Sequence, residues 1–398
     1  GSCRNDPAHH AVQIGGKMAL TRVGDILDPK QNNFTLLRLL AASAVVISHA
    51  VFLHSGHKAD EILSSITYFN LGDHAVNVFF VLSGLTVAGS FAKSPSITEF
   101  TIARGLRIFP ALAACALLLV LVGAIVTTCT PTQFLSDTRV WRYGLSTLLL
   151  GSAATGLPGV FGENPHPSVM NASIWTLKYE AACYLLLAFV GWLGFLTKRR
   201  FAWLLGLSWA IAGGVLFVRF GHDTTPLDQA ARFWLCFSLG IGFYVFRSQI
   251  VVSAFGVAAV SVLFWLTIGS PLERIVSLFA TGYAIVWLGK LPIGRLRSLT
   301  NRIDLSYGIY IFGWPITQTL MLVQPSISVW LLTLLSLMLA MAVALPSWLL
   351  IERPAMRARR TISTSIEVRI DRLRQRLISK PMDETAQHTR SMQPITDK

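Results

Sequence analysis

Long apolar runs separated by short polar stretches dominate this chain of 398 residues. An α-helix of about 20 mostly apolar residues crosses the hydrocarbon core of a bilayer, and runs close to that length recur along the sequence. The pattern therefore predicts an all-α integral membrane protein with about ten transmembrane helices. The predicted spans are residues 34–54, 75–92, 105–128, 172–196, 201–219, 230–247, 250–269, 272–289, 303–323 and 327–350.

Composition agrees with a lipid environment, because 53% of the residues are hydrophobic, 14% are charged and the mean hydropathy is +0.55. The formal net charge of +14 comes from 34 Lys and Arg against 20 Asp and Glu. Such a charge would suit a nucleic-acid partner. However, the basic residues gather in short loops and tails between apolar runs, so we expect them to orient the chain in the membrane and to bind no nucleic acid.

The distribution of the basic residues predicts that both termini are cytoplasmic. Lys and Arg are enriched in cytoplasmic loops, and an even number of spans places both termini on one side. That side would hold Lys17, Arg22, Lys30, Lys93, Arg104, Arg107, Lys198, Arg199, Arg200, Arg247, Lys290, Arg295, Arg297, Arg302, Arg353, Arg357, Arg359 and Arg360. The opposite side would hold Lys58, Arg139, Arg142 and a few flanking arginines such as Arg219 and Arg274.

Three segments lie outside the predicted spans. Residues 1–30 form a mostly polar N-terminal segment without a signal-peptide core. Residues 129–171 form the longest outward loop, and its apolar run at 143–150 is too short to span, so this run is either re-entrant or interfacial. Residues 362–380 place apolar side chains on one helical face among arginines. They form either an interfacial helix on the anionic inner leaflet or a disordered basic tail.

Arg38 and His49 are two ionisable residues within one predicted span. Eleven residues make about three helical turns, so both side chains fall on one face, about 16 Å apart along the axis. Ionisable groups inside a span usually face a protein interior or a water-filled cavity. The spacing suits a long anionic cofactor with its head at the surface and its reactive end deep in the membrane. The alternatives are a snorkelling Arg38 and a structural polar contact for His49.

Three more charged residues stand at predicted span ends. Arg104 and Arg107 are three residues apart, share a helix face and could clamp phosphates, although membrane anchoring is an equal alternative. Glu180 lies about a turn inside the fourth span and needs a partner, for which a His or Arg would be suitable. A structural ion pair is its alternative role. We find no convincing cluster of metal ligands in the sequence, and no metal is expected.

Ser83 and Gly84 form a small-residue pair within the second span. Such a pair favours close packing of two helices. A catalytic serine would need a base nearby, and the sequence shows no such partner for Ser83. Asp73 and His74, at the start of the same span, could be a solvated loop end.

Six short motifs follow one another along the chain: Arg38-x10-His49, Phe79-Phe-Val-Leu-Ser-Gly84, Arg104-x-x-Arg107-Ile-x-Pro110, Trp175-Thr-Leu-x-x-Glu180, Ser306-Tyr-Gly-Ile-Tyr310 and Glu352-Arg-Pro354. This ordered set resembles the membrane acyltransferase-3 family of bacterial polysaccharide and lipopolysaccharide O-acyltransferases. The similarity covers about residues 31–356, which would form a membrane acyltransferase domain between the 1–30 segment and a basic cytoplasmic tail at 357–398.

The resemblance implies a ten-helix enzyme of the bacterial inner membrane. Such an enzyme takes an acyl group, most often acetyl, from cytoplasmic acyl-CoA and places it on a carbohydrate or lipid-linked sugar hydroxyl. By matching motif, His49 and Glu180 would be catalytic, and Arg38, Arg104 and Arg107 would bind the acyl-CoA. No permanently bound cofactor is implied, since acyl-CoA is a substrate.

The sequence departs from the family pattern in places. The Tyr-x-x-His-x-Pro pattern reads Tyr310-Ile-Phe-Gly-Trp-Pro315, so Gly313 replaces a histidine. Ala75 and Asn77 stand where many relatives have Gly and Asp. These departures leave His49 as the main acid/base candidate, and we expect it to act as general base on the acceptor, with Glu180 orienting or charge-stabilising it.

Two other function classes compete with this interpretation. Several spans with internal His, Glu and Arg also suit a transporter or proton-coupled carrier, but the sequence shows no internal repeat of the transporter kind. A purely structural membrane scaffold does not account for His49 deep in a span.

Overall fold

The computed structural model describes residues 21–28, 31–151 and 156–378, and nearly all of its regular structure is helical. The β-structure in this part of the chain is one isolated antiparallel bridge between Arg22 and Val251. Most of the predicted 1–30 segment and the end of the predicted tail, residues 379–398, lie outside the described residues.

The first half of the fold contains eight α-helices and two short 3-10 helices at Lys58–Asp60 and Ala172–Thr176. The α-helices are α1 (Val23–Ile26), α2 (Phe34–Ser55), α3 (Leu71–Lys93), α4 (Ile97–Val126), α5 (Pro131–Ser136), α6 (Thr138–Leu148), α7 (Leu177–Trp192) and α8 (Lys198–Val218).

The second half contains seven α-helices, and a π-helical turn at Trp348–Glu352 joins the last two. The helices are α9 (Pro226–Val245), α10 (Ala254–Thr267), α11 (Glu273–Leu288), α12 (Gly294–Arg302), α13 (Ser306–Val323), α14 (Val329–Ser347) and α15 (Arg353–Ile378).

Each of the ten predicted spans falls on one of these helices. Several of the helices begin at a residue whose side chain caps the first turn. Ser96, for example, accepts a hydrogen bond from the backbone N–H of Glu99 at the start of α4, which satisfies one of the unpaired N–H groups of a helix start. Within the part of the chain that the structure describes, six helical segments are long and apolar enough to cross a membrane: Phe34–Ser55, Leu71–Lys93, Ile97–Val126, Ala172–Trp192, Lys198–Val218 and the continuous helix Val329–Arg369. The protein is therefore an all-helical, multi-pass membrane protein.

Large apolar side chains point outward from these helices, as expected where lipid is the solvent. Trp203 on α8, Phe255 on α10 and Trp330 on α14 are all strongly exposed. The buried core instead lies where α2, α3, α9 and α13 pack against one another, with Val81, Phe237 and Ile311 among its buried residues.

Gly84 allows α3 and α9 to approach closely, as the small-residue pair predicted. A Cβ atom added at Gly84 would overlap the carbonyl oxygen of Phe237, and one added at Gly240 would overlap that of Val81. The two helices meet backbone to backbone at this crossing, so a side chain at either glycine would force them apart.

We expect Gly84→Ala to destabilise the protein by about 3 kcal/mol or more, because a packed backbone contact cannot accept an extra methyl group. Thermal unfolding in detergent measures the effect. Gly206→Ala is the matched control, since no heavy atom lies within 4 Å of a Cβ added there. Equal stability of the two variants would contradict the backbone contact between α3 and α9.

The segment 156–171 of the predicted outward loop docks on α13. Pro315 has no N–H, so the carbonyl of Ile311 lacks its usual helical donor. The Asn171 side-chain amide donates to that carbonyl at 2.8 Å, and the Trp314 indole donates to the carbonyl of Val169 at 3.1 Å. This part of the loop is therefore fixed against the helix bundle.

Helix α15 continues the last long helix through the π-helical turn. It packs against α4, and Ser96 at the start of α4 donates to Glu367 at 2.9 Å. Val368 is exposed on this helix. The structure thus has a helix over most of residues 362–380, and its first turns lie against the bundle.

Candidate active site

Two cavities open in the helix bundle, and Val76 and Tyr310 line both of them. The arginine cavity, about 300 Å³ in volume, is named for the four arginines in its lining. The histidine cavity, about 540 Å³, contains His49 in its lining. The charged residues of the arginine cavity are Arg38, Arg104, Arg107, Arg359, Glu180 and Asp304. The ionisable side chains of the histidine cavity include His49, Lys58, Glu61, Asp73, Arg232 and Arg274.

Arg38 lies one turn inside α2 and reaches across to α3. Its guanidinium donates to the hydroxyl of Thr86 at 2.8 Å and to the carbonyl of Leu82 at 3.3 Å. The Asn33 amide anchors the start of α2 by donating to the carbonyl of Leu291 at 2.6 Å. Both of these Arg38 acceptors are neutral, so the positive charge of Arg38 remains available to an anion.

Arg104 and Arg107 share a helix face, but they have different partners. Arg107 pairs with Asp304 at 2.7 Å and with Glu352 at 3.0 Å. Arg104 forms no ion pair within the described residues, and its buried Nε atom has no hydrogen-bond partner there. The two residues therefore do not form the matched phosphate clamp that their spacing suggested, because Arg107 is already neutralised by two carboxylates.

Asp304 holds Arg107 in place at the edge of the arginine cavity. Its carboxylate accepts a hydrogen bond from the Arg107 guanidinium at 2.7 Å and a second one from the hydroxyl of Ser306 at 2.6 Å. The start of α13 is thereby tied to α4.

Glu180 lies in the arginine cavity together with Arg38 and Arg104. The hydroxyl groups of Ser83 and Tyr184 donate to its carboxylate, the former at 3.4 Å. It forms no ion pair with a His or Arg in the described part of the chain. Glu180 and His49 line different cavities, so no direct contact among the described residues supports an orienting or charge-stabilising role of Glu180 toward His49, and that role stays a prediction.

His49 is part-buried and lines the histidine cavity. Its ring packs edge-on against Trp314, with 4.9 Å between ring centroids. The buried Nδ1 atom has no hydrogen-bond partner among the described residues. The imidazole is thus held by packing, and its proton-accepting capacity is not used by a structural hydrogen bond at that atom.

Glu61 joins the histidine cavity, which the sequence did not indicate. It is only 8% exposed and accepts a hydrogen bond from the hydroxyl of Ser48, the neighbour of His49 on α2. Burial raises the pKa of the Glu61 carboxyl, and the hydrogen bond from Ser48 offsets this only in part. The only signal for Glu61 in the sequence is its position, because it is an acidic residue in the short segment that follows α2, the helix of His49.

The raised pKa of Glu61 makes stability depend on pH. The folded protein binds this proton more tightly than the unfolded chain, so the group stabilises the fold at low pH, and this contribution is lost as pH rises through the folded-state pKa. We expect the thermal stability of Glu61→Gln relative to the natural protein to increase as the pH rises above about 4, the ordinary range of a glutamate carboxyl. Unfolding curves in detergent measure this difference. Parallel pH curves would contradict it, and the exposed Glu163→Gln provides the control.

Asp73 and Asn77 are bound by an arginine of α9. Arg232 donates to the carboxylate of Asp73 and to the side-chain oxygen of Asn77, both at 2.7 Å. The solvated-loop interpretation of Asp73 is wrong, because Arg232 binds its carboxylate and this network fixes the start of α3 at the wall of the histidine cavity.

The structure brings Arg38, Arg104, Arg107 and Glu180 together in one cavity and places His49 in the next. No group of three or more His, Cys, Asp or Glu side chains in residues 21–28, 31–151 and 156–378 could hold a metal ion. Sequence reasoning missed several residues of the two cavities: Glu61, Arg232, Asp304 and Arg359.

Residues 31–353 match the acyltransferase domain that defines the acyltransferase-3 family. The chain belongs to this family. Nodulation protein 10 of Rhizobium leguminosarum bv. viciae is 28% identical over 363 residues, covering 83% of this chain and 95% of that protein. The O-acetyl transferase of Shigella phage Sf6 is 28% identical over 295 residues, covering 73% of this chain and 85% of that protein. No solved structure gives a significant match.

Membership of the acyltransferase-3 family makes this protein a membrane acyltransferase and disfavours the transporter and scaffold alternatives. Gly313, where the family pattern has a histidine, packs against Val46 so closely that a Cβ atom would overlap that side chain. A histidine at this position of the acyltransferase would require the Val46 side chain to move.

Proposed function

We propose that this acyltransferase moves an acyl group, most simply acetyl, from acyl-CoA to a hydroxyl of a cell-surface or lipid-linked carbohydrate. One observation carries the proposal. Helix α2 contributes Arg38 to a cationic cavity and His49 to a second cavity, and the two cavities share wall residues. The two side chains are about 16 Å apart along the helix, a separation that an extended pantetheine arm can cover.

The charge of the arginine cavity supports acyl-CoA as the donor. CoA carries several phosphates, and guanidinium groups bind phosphate through paired hydrogen bonds. Arg38 and Arg104 form no ion pair within the described residues, and the exposed Arg359 of α15 joins them at the cavity. Acyl-CoA would bind here as a substrate and not as a permanent cofactor.

The histidine cavity supports a carbohydrate acceptor. Trp175, Trp314 and Tyr68 provide flat apolar surfaces, and the carboxylates of Glu61 and Asp73 can accept hydrogen bonds from sugar hydroxyls. The name of the phage Sf6 relative, O-acetyl transferase, supports an acetyl group and an oxygen acceptor.

In the proposed reaction His49 acts as general base. It takes the proton of the acceptor hydroxyl while the oxygen attacks the thioester carbonyl. The carbon–sulfur bond then breaks, and the CoA thiolate leaves and receives the proton. Glu180 remains a proposed site residue, but on the donor side, next to Arg38 and Arg104. Trapping of acylated protein without acceptor would indicate an acyl-His49 intermediate instead of direct transfer.

We further propose ten spans with both termini in the cytoplasm, in the bacterial inner membrane. The arginine cavity would then open toward the cytoplasmic acyl-CoA pool, since Arg104, Met356 and Arg359 from predicted cytoplasmic segments line it. The histidine cavity would open outward, since Lys58, Ser64 and Thr224 from predicted outward segments line it.

Cysteine labelling tests this topology. We expect Ser136→Cys to react with a membrane-impermeant maleimide in intact spheroplasts and Arg200→Cys to react only after lysis, because the loop charges place them on opposite sides. The background should carry Cys129→Ser, since Cys129 is a free, part-exposed thiol near Ser136. The reverse labelling pattern would invert the orientation and remove the cytoplasmic route of the donor.

The activity itself is tested with radiolabelled acetyl-CoA and membrane vesicles from cells lacking the native gene. Vesicles containing the protein should transfer label to glycan and release free CoA in equal amounts. Mass spectrometry of surface glycans should show acylation restored by the natural gene. Transport of a solute without any CoA release would overturn the proposal.

A further inference from the structure

Val76 and Tyr310 occupy a special position because they line both cavities. Helix α3 passes from one cavity to the other at Val76. Asp73, one turn before it, lines the histidine cavity, and Phe79, one turn after it, lines the arginine cavity. Residues three apart on a helix lie on one face, so a single face of α3 runs through the wall between the cavities.

Neighbouring residues of the 3-10 helix at 172–176 show the same division. Trp175 lines the histidine cavity and Thr176 lines the arginine cavity. The hydroxyl groups of Thr176 and Tyr310 are hydrogen-bonded at 2.6 Å, and the Tyr310 ring packs edge-on against Phe79 with 5.7 Å between centroids. The Tyr310 ring is thus fixed in orientation on the arginine side of the wall.

We propose that Val76 and Tyr310 form an aperture that holds the acyl group during transfer and limits its length. The inference rests on the proposed function, because it requires a donor in the arginine cavity and an acceptor beside His49. The acyl carbon must then lie at the wall, where it can face both the sulfur of CoA and the acceptor oxygen.

The bonds broken and formed in the transfer through this aperture are as follows. The thioester carbon–sulfur bond breaks and a carbon–oxygen ester bond forms, while the hydroxyl proton passes through His49 to the CoA thiolate. Val76 and Tyr310 take no proton in this step. They determine which acyl groups fit, because both side chains line the two cavities and are themselves only 8% and 7% exposed.

Val76 is the residue to vary, since its side chain is small and its partner ring is fixed. In a hydrophobic pocket, one extra or missing methylene group changes the discrimination between two substrates about 10- to 200-fold. For Val76→Ala we expect the ratio of kcat/KM for butyryl-CoA to that for acetyl-CoA to rise about tenfold. For Val76→Phe we expect the rate of acetyl transfer to fall about 100-fold, because displacing the acyl group by about 1 Å from its reactive position lowers the rate by about that factor. The CoA affinity of this variant should change less than about twofold.

The experiment uses the same membrane vesicles with radiolabelled acetyl-CoA and butyryl-CoA, and CoA affinity is measured on purified protein. Val81→Ala is the matched control, because Val81 is a buried valine of α3 that lines neither cavity, and its acyl preference should equal that of the natural protein. If the natural protein binds CoA and transfers acetyl groups but Val76→Ala has an unchanged acyl preference, the aperture is refuted and the proposed function stands. A natural protein that binds no CoA would overturn the proposed function and the aperture with it.

Discussion

Replacing His49 with alanine is expected to lower acyl transfer by about 100-fold to 10,000-fold, the range in which a general base contributes. The side chain is part-buried and lines a cavity, so its removal enlarges existing space instead of opening a hole in the packed core. Expression, thermal stability and CoA affinity should therefore stay near those of the natural protein. The initial rate of label transfer from acetyl-CoA measures the effect.

Two further variants distinguish a chemical role of His49 from a packing role. His49→Gln keeps polarity and much of the contact with Trp314 but cannot accept the proton, so it should be as inactive as the alanine variant. His54 lies on the same helix, is hydrogen-bonded to the carbonyl of Ile327 at 3.0 Å and lines neither cavity. The His54→Ala variant should therefore keep the activity of the natural protein. Near-normal transfer by well-expressed His49→Ala would refute the general-base role.

Arg104 and Arg107 should respond differently to the same substitution. Arg104→Ala removes a cation that has no acidic partner in the described residues, so we expect CoA affinity to fall about tenfold or more with little loss of stability. Arg38→Ala should behave in the same way, because the acceptors of Arg38 are neutral. Calorimetric titration with CoA measures affinity, and the exposed Arg199→Ala is the control for a general loss of positive charge.

Arg107→Ala should instead destabilise the fold, by about 3 kcal/mol. It leaves the carboxylates of Asp304 and Glu352 without their cation, and Glu352 is almost completely buried. Thermal unfolding in detergent measures this loss. Adding Glu352→Gln to Arg107→Ala should recover part of the stability, because one of the unpaired charges is removed. Unchanged CoA affinity in both Arg38→Ala and Arg104→Ala would contradict phosphate binding by these two arginines.

The sequence by itself determined the features that depend on local periodicity. Apolar runs located the ten helical segments, the spacing of Arg38 and His49 placed both on one face of α2, and the Ser83-Gly84 pair indicated a close helix contact. These features follow from the geometry of one helix and its solvent, which a single segment of sequence specifies. The ordered motifs also indicated the family that the comparison then established.

Only the tertiary structure decided which polar groups meet. Arg107 is bound to carboxylates 197 and 245 residues away, and this pairing separates it from Arg104, although the two looked equivalent along the chain. Glu180, expected beside His49, lies in the arginine cavity, while Glu61 occupies the histidine cavity in its place. Helix periodicity gives the direction of a side chain around its own axis. The partner it meets depends on how that helix crosses its neighbours, which is set by packing such as the backbone contact at Gly84.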